Sequence, residues 1–172
     1  MSKLYVDEIH PKTTGGTINL TNAVHIDQFR MPSHWTTDGN SLINTWERPT
    51  ESEHATVGDN VSHSTGIFTL PLTGVWRIDL HGSFRTDTSD NINVTIEVTT
   101  NNSSYTIRAR ALSGGDSAHD TGAYATYLFN CTNVTTHKVR VRALGLDASS
   151  YIMGDGTAIY TGITFTRLAN AQ

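Results

Sequence analysis

The sequence predicts an all-β protein, an antiparallel β-sandwich with a short extended N-terminal arm, and three observations carry that prediction. Apolar and polar residues alternate strictly over several segments of seven to ten residues, the period of a strand with one buried face. Turn-forming clusters rich in Gly, Asn, Asp and Ser separate those segments at short intervals. Threonine occupies 27 of the 172 positions, and only 16% of residues are charged, which is β-protein usage. That length suits one main domain, residues 24–172, preceded by an arm over residues 1–23.

The arm, "MSKLYVDEIHPKTTGGTINL", alternates polar and apolar residues from its third position. No apolar run follows its first lysine, so neither a signal peptide nor a membrane anchor is expected there. Pro11, Gly15 and Gly16 mark a bend. Its apolar residues Leu4, Tyr5, Val6 and Ile9 cannot be buried by so short a segment alone. Winding with other copies, or docking on another protein, would cover them.

Residues 24–30 ("VHIDQFR") and 42–48 ("LINTWER") supply the first two expected strands, followed by 64–70 and 75–85. In "VWRIDLHGSF", Trp76, Ile78, Leu80 and Phe84 fall on one face, against Arg77, Asp79, His81 and Ser83. In the strand 91–100, Ile92, Val94, Ile96 and Val98 oppose Asn93, Thr95, Glu97 and Thr99. Strands 104–112, 121–131 and 137–145 follow, the last with Val139, Val141 and Ala143 opposite Lys138, Arg140 and Arg142. The strand 157–168 closes the chain. Nine or ten short strands, each with one wet and one buried face, predict a double-sheet jelly roll or a related barrel.

If the last strand runs toward the termini, reversal at each turn places loops 86–90, 113–120 and 146–156 at one distal pole. Loops 71–74, 101–103 and 132–136 then share the proximal pole beside the arm. The distal loops carry Asp87, Asp90, Asp116, His119, Asp120, Asp147, Tyr151 and Asp155, whereas the proximal loops hold no acidic residue. Such carboxylates can bind Ca²⁺ through oxygen ligands, and Asp with Asn and Tyr can hydrogen-bond and stack on sugars. The same aspartates also suit turns for a local reason, because their side chains bond the neighbouring backbone.

Other functional classes fare worse. A net charge of −4 argues against a sequence-independent nucleic-acid binder, which needs a basic face. The single cysteine, Cys131, excludes an internal disulfide and reads as a small core or rim residue. The eight histidines lack metal-binding spacing, and no nucleophile elbow or phosphate-binding loop is present, so no enzyme is expected. Arg108, Arg110, Lys138, Arg140 and Arg142 form a ladder expected to be a solvated strand face balanced by residues such as Glu97, rather than an anion site.

"TGIFTLPLTGVWRIDL" resembles the signature stretch of C1q/TNF-like domains. "QFRM", "NTWERP" and "AIYTGITFTRL" are similar, in order, to the first, second and last strands of that family, the last with its internal Gly162. The resemblance spans about residues 24–168 and implies a C1q/TNF-like jelly roll that assembles as a homotrimer. "LYVDEIHPKTTGGTINL" resembles the start of small tail-fibre and virion-surface proteins of marine bacteriophages, notably cyanophages. Together these imply a fibre, spike or knob on the virion surface, mounted through its arm on another protein of the head or tail and touching host polysaccharide. The alternative is a decoration or adaptor protein that stabilises the particle without binding a receptor. A soluble signalling ligand is disfavoured by the phage-like start.

Overall fold

The computed structural model describes residues 24–86, 90–115, 119–147 and 149–172. Their strands, in chain order, are β1 (Ile26–Arg30), β2 (Gly39–Leu42), β3 (Ser62–Ser64), β4 (Ile67–Thr69), β5 (Gly74–Thr86), β6 (Asp90–Thr99), β7 (Thr106–Gly115), β8 (His119–Cys131), β9 (Lys138–Leu146), β10 (Tyr151–Ile152) and β11 (Gly162–Ala169). No helix occurs among the described residues. Two antiparallel sheets form. The first runs β1-β11-β5-β8, with β10 pairing the far end of β5. The second runs β3-β4-β9-β6-β7, with β2 beside β9. The architecture is a jelly-roll sandwich, as the alternation predicts.

The core lies where the two inner faces meet. Trp76, Ile78, Leu80 and Phe84 of β5 are fully buried, as are Ile92, Val94 and Ile96 of β6 and Val139, Val141 and Ala143 of β9. Burying each large apolar side chain contributes roughly 1.5–3 kcal/mol. Phe68 sits at the junction, its ring 5.1 Å from Phe29, 5.8 Å from Trp46, 4.8 Å from His63 and 5.0 Å from Phe165. Cys131 is fully buried in the same core, and burial pushes its thiol pKa up.

Several expected elements differ in the structure. The strand expected over 64–70 is a hairpin, β3-β4, turning at Thr65 and Gly66 with φ of 50° and 85°. Two successive positive φ values make the tight turn that matches strand twist. The strand expected over 42–48 is replaced by β2 at 39–42 and an irregular segment. Ile43 and Trp46 both face the core, a spacing of three that no strand allows, and the Trp46 indole N–H bonds the Ile43 carbonyl at 3.0 Å. The last strand begins at Gly162 rather than 157, and the loop expected over 146–156 contains β10. The described residues thus form eleven strands, where nine or ten are expected for the chain.

β6 departs most in chemistry. Its outer residues Asn93, Thr95, Glu97 and Thr99 are buried rather than wet, because β6 is flanked by β7 and β9 and the long side chains of β9 lie over it. Arg140 reaches Glu97 at 2.6 Å and Arg142 stands at 3.5 Å from it.

Residues 43–61, which contain no strand, are fastened to β1 by ion pairs. Asp27, 1% exposed, accepts from Arg48 Nε at 2.9 Å and Nη2 at 2.7 Å, and from the Val61 backbone N–H at 2.8 Å. Arg30, equally buried, donates to Glu47 at 3.0 Å and Glu51 at 2.5 Å.

Two histidines make the fold acid-sensitive. Burial, reinforced for His63 by the charge of Arg48, holds His63 and His137 below the ordinary imidazole pKa. As pH falls through about 6.5, the unfolded chain takes up protons that the native state refuses, so stability declines until the depressed native values are passed. Glu51, lowered by the Arg30 hydrogen bond, and Asp155, lowered by Thr157, extend the loss at more acid pH with the same sign. Urea unfolding at pH 7.5, 6.5 and 5.0 should show a plateau and then a fall; equal midpoints at pH 7.5 and 5.0 would contradict this account.

Candidate functional site

Two surfaces present themselves, the distal pole and the outer face of the first sheet. At the pole, β5 ends and β8 begins opposite one another, Thr86 pairing with His119, while Asp90 pairs with Gly115. β9 ends there at Leu146 beside Gly39. This is the pole away from Val24 and from Gln172, whose backbone is held by the Asn130 side chain at 2.7 and 3.1 Å.

The polar residues expected at this pole are put to several uses. Asp147 accepts from the Ser149 and Ser150 backbone N–H groups at 3.1 and 3.2 Å. Asp155 accepts from the Thr157 and Ala158 N–H groups at 2.6 and 2.9 Å, and the Thr157 bonds pull its pKa down. Both thus perform the local turn chemistry that favours Asp in loops. Asp120 pairs with Arg85 at 3.0 Å, and His119 is exposed at the start of β8. Tyr151 stacks on His34, ring centroids 4.5 Å apart. Asp87 and Asp116 lie outside the described residues, as do the Asp90 side chain and the arm residues Leu4, Tyr5, Val6 and Ile9. Among the described residues, no three His, Cys, Asp or Glu side chains stand together as a metal site.

The outer face of the first sheet is built by alternation. β8 sends Ala125, Phe129 and Cys131 inward, and therefore Tyr124, Thr126 and Leu128 outward. The register places Leu128 opposite Arg77, Thr126 opposite Asp79 and Tyr124 opposite His81. Arg77 bonds Asp79 at 2.9 Å and the Tyr124 hydroxyl at 3.2 Å, and that hydroxyl donates to Asp79. Burial pushes the Asp79 carboxyl up, but bonds from Tyr124, Thr126 and Arg77 outweigh it and hold the pKa below the usual range. Around this polar knot stand large apolar side chains in water: Tyr124 is 55% exposed, Leu128 58% and Leu168 54%. Toward the pole a cavity of about 260 Å³ is lined by Ser83, Asp120, Thr121, Gly122, Met153 and Tyr160.

Sequence reasoning missed Tyr124 and Leu128. In "AYATYLFN" apolar residues fall on both faces, so no alternation shows. That doubling was itself the available signal, since a strand apolar on both faces implies that both are covered.

No family model matches the chain, and no curated protein does. Solved structures share the fold. Eiger TNF from S. frugiperda superposes with a TM-score of 0.67 at 14% identity, covering 87% of this chain and 95% of that one. Murine APRIL at pH 5.0 gives 0.65 at 12% identity, covering 85% and 100%. The chain therefore carries a TNF-like jelly roll, the fold that its sequence motifs resemble.

Proposed function

We propose that the chain is the head of a homotrimeric virion-surface fibre, spike or knob. Three copies pack through the outer face of the β1-β11-β5-β8 sheet. Residues 1–23 mount the trimer on another protein of the head or tail, and the distal pole faces the host surface. The observation that carries this reading is the apolar load of that sheet face, with Tyr124, Leu128 and Leu168 each more than half exposed. Scattered single apolar residues need no partner, but a group on one face marks an interaction surface. Closed three-fold symmetry buries that face in every copy and leaves no subunit to add without limit. The resemblance to C1q/TNF-like domains supports the three-fold arrangement, and the phage-like start supports the location. Weak contacts at each pole suffice when many trimers act together.

Sedimentation equilibrium tests the assembly. The intact protein should sediment at three chain masses, and the Leu128→Asp variant at one, with an unchanged β-sheet circular dichroism spectrum. A monomeric intact protein removes the reading. Mass spectrometry of virions made with a chain lacking residues 1–23 tests the mounting: the truncated head should be absent from particles, and its presence would remove the arm from that role.

A further inference from the structure

The second sheet presents outward a face of opposite character. By register, Arg110 of β7, Thr95 of β6 and Arg142 of β9 stand in one row across three strands. Neighbouring strands lie about 4.8 Å apart, so the two arginine backbones are about 10 Å apart. Lys138 extends the face along β9, Arg108 stands exposed in the β7 bulge next to Ile107, which is opposite Glu97, and Arg140 pairs with Glu97 one row away. Five cationic side chains thus surround one outward carboxylate, Glu97, an excess of four positive charges on a chain whose total is −4.

The carboxylate does not balance that face. Glu97 is 3% exposed and is occupied by Arg140 and Arg142. Arg140 also lies over the Tyr105 ring at 3.9 Å, and Lys138 donates to the Val134 carbonyl at 2.7 Å. Arg108 and Arg110 are exposed and have no ion-pair or hydrogen-bond partner among the described residues. A second observation concerns buried polar atoms. Asn93 Oδ1 and the Tyr105 hydroxyl are buried without a hydrogen bond, Asn93 being 9% exposed, whereas Arg142 Nε stands 3.5 Å from Glu97. An unmet buried polar group is costly, and two of them stand on this side of the sheet. Beside Asn93 the register sets Leu112, 60% exposed, and Leu144.

We propose that this outer face of β7-β6-β9 binds a linear acidic polysaccharide, with Arg108 and Arg110 gripping its carboxylate or sulfate groups. The guanidinium fork matches such anions in paired hydrogen bonds. Leu112 with Leu144 offers an apolar bed to the C–H face of a ring. A nucleic acid fits less well. The one aromatic identified on this face, Tyr105, lies beneath Arg140, which leaves no open ring for base stacking. The face belongs to the sheet opposite the proposed trimer contact and lies away from the distal aspartates, so it stands whether or not those roles hold.

The test immobilises heparin, polygalacturonate, uncharged dextran and duplex DNA, and measures binding of the intact protein at low salt. Binding to one or both acidic polysaccharides, weakened as salt rises, with none to dextran and less to DNA, is the expected result. The Arg108→Ala/Arg110→Ala double variant should melt as the intact protein does and bind the polysaccharide about tenfold more weakly per arginine removed. Leu128→Asp, which targets the other sheet, should retain single-site affinity. Absence of binding to both acidic polysaccharides, equal affinity for DNA, or an unchanged double variant would each overturn the assignment.

Discussion

Phe68→Ala is expected to lower the unfolding free energy by about 3–5 kcal/mol, the cost of removing a buried phenyl ring and leaving a cavity. Phe68 is fully buried, and four rings stand within 5.8 Å of its own, contributed by β1, β3, β11 and the segment after β2. No single neighbour can move into the gap without abandoning another contact, so the cavity collapses poorly. Phe68→Leu refills part of the space and should lose clearly less. Urea denaturation of the three proteins at pH 7.5 checks the order, and a loss below about 1 kcal/mol for the alanine variant would mean that the cluster repacks.

Asp27→Ala should cost about 3 kcal/mol, near the lower end of the 3–5 kcal/mol found when one partner of a buried ion pair is removed. The asymmetry of the pair decides the magnitude. The Asp27 side chain is 1% exposed while Arg48 is 34% exposed, so the freed guanidinium can turn to water. The Val61 N–H cannot follow it, and its 2.8 Å bond to Asp27 is lost without replacement. Asp27→Asn keeps an acceptor for Val61 and should fall between the two. Because Asp27 and Arg30 fasten residues 43–61, limited proteolysis of the alanine variant should cut that segment first. Resistance equal to the parent protein would show that the Arg30 ion pairs and the backbone bonds of Glu47 and Val57 to β1 hold the segment without Asp27.

The parts of the fold that were legible in the sequence are those where one physical rule acts alone. β5 and β9 each keep one wet face, so alternation marks them within a residue or two. The hairpin at Thr65 and Gly66 was hidden inside a seemingly continuous apolar run, because Thr gives no hint of its φ of 50°. The 43–61 segment escaped for another reason. Its fixing groups, Arg48 and Glu47, find partners 17 to 21 residues away, and no local pattern encodes such pairings.

The site was legible in composition and not in use. Of the aspartates expected at the distal pole, Asp147 and Asp155 serve their own turns and Asp120 pairs with Arg85. A turn-capping aspartate and a ligand-binding one look alike in sequence. The basic ladder was visible as well, and its balance by Glu97 was the natural expectation. Burial of Glu97 under Arg140 and Arg142 leaves Arg108 and Arg110 unmatched, and only the register of three strands reveals it.

The pairing of β1 with β11 bears on how the protein is made. Ile26 meets Thr166 and Arg30 meets Gly162, so the first described strand waits for the last. During translation β1 emerges well before β11 and finds its sheet neighbour only once residues 162–169 have been made. The second sheet's β6 and β7 are adjacent in the chain and can associate well before that. Closure of the sandwich is therefore a late event, set by a long-range contact whose loop-closure entropy slows it. Until then the first sheet lacks β11 between β1 and β5, so the core is incompletely covered, which makes the interval before β11 is made the stage at which this domain is most exposed to aggregation.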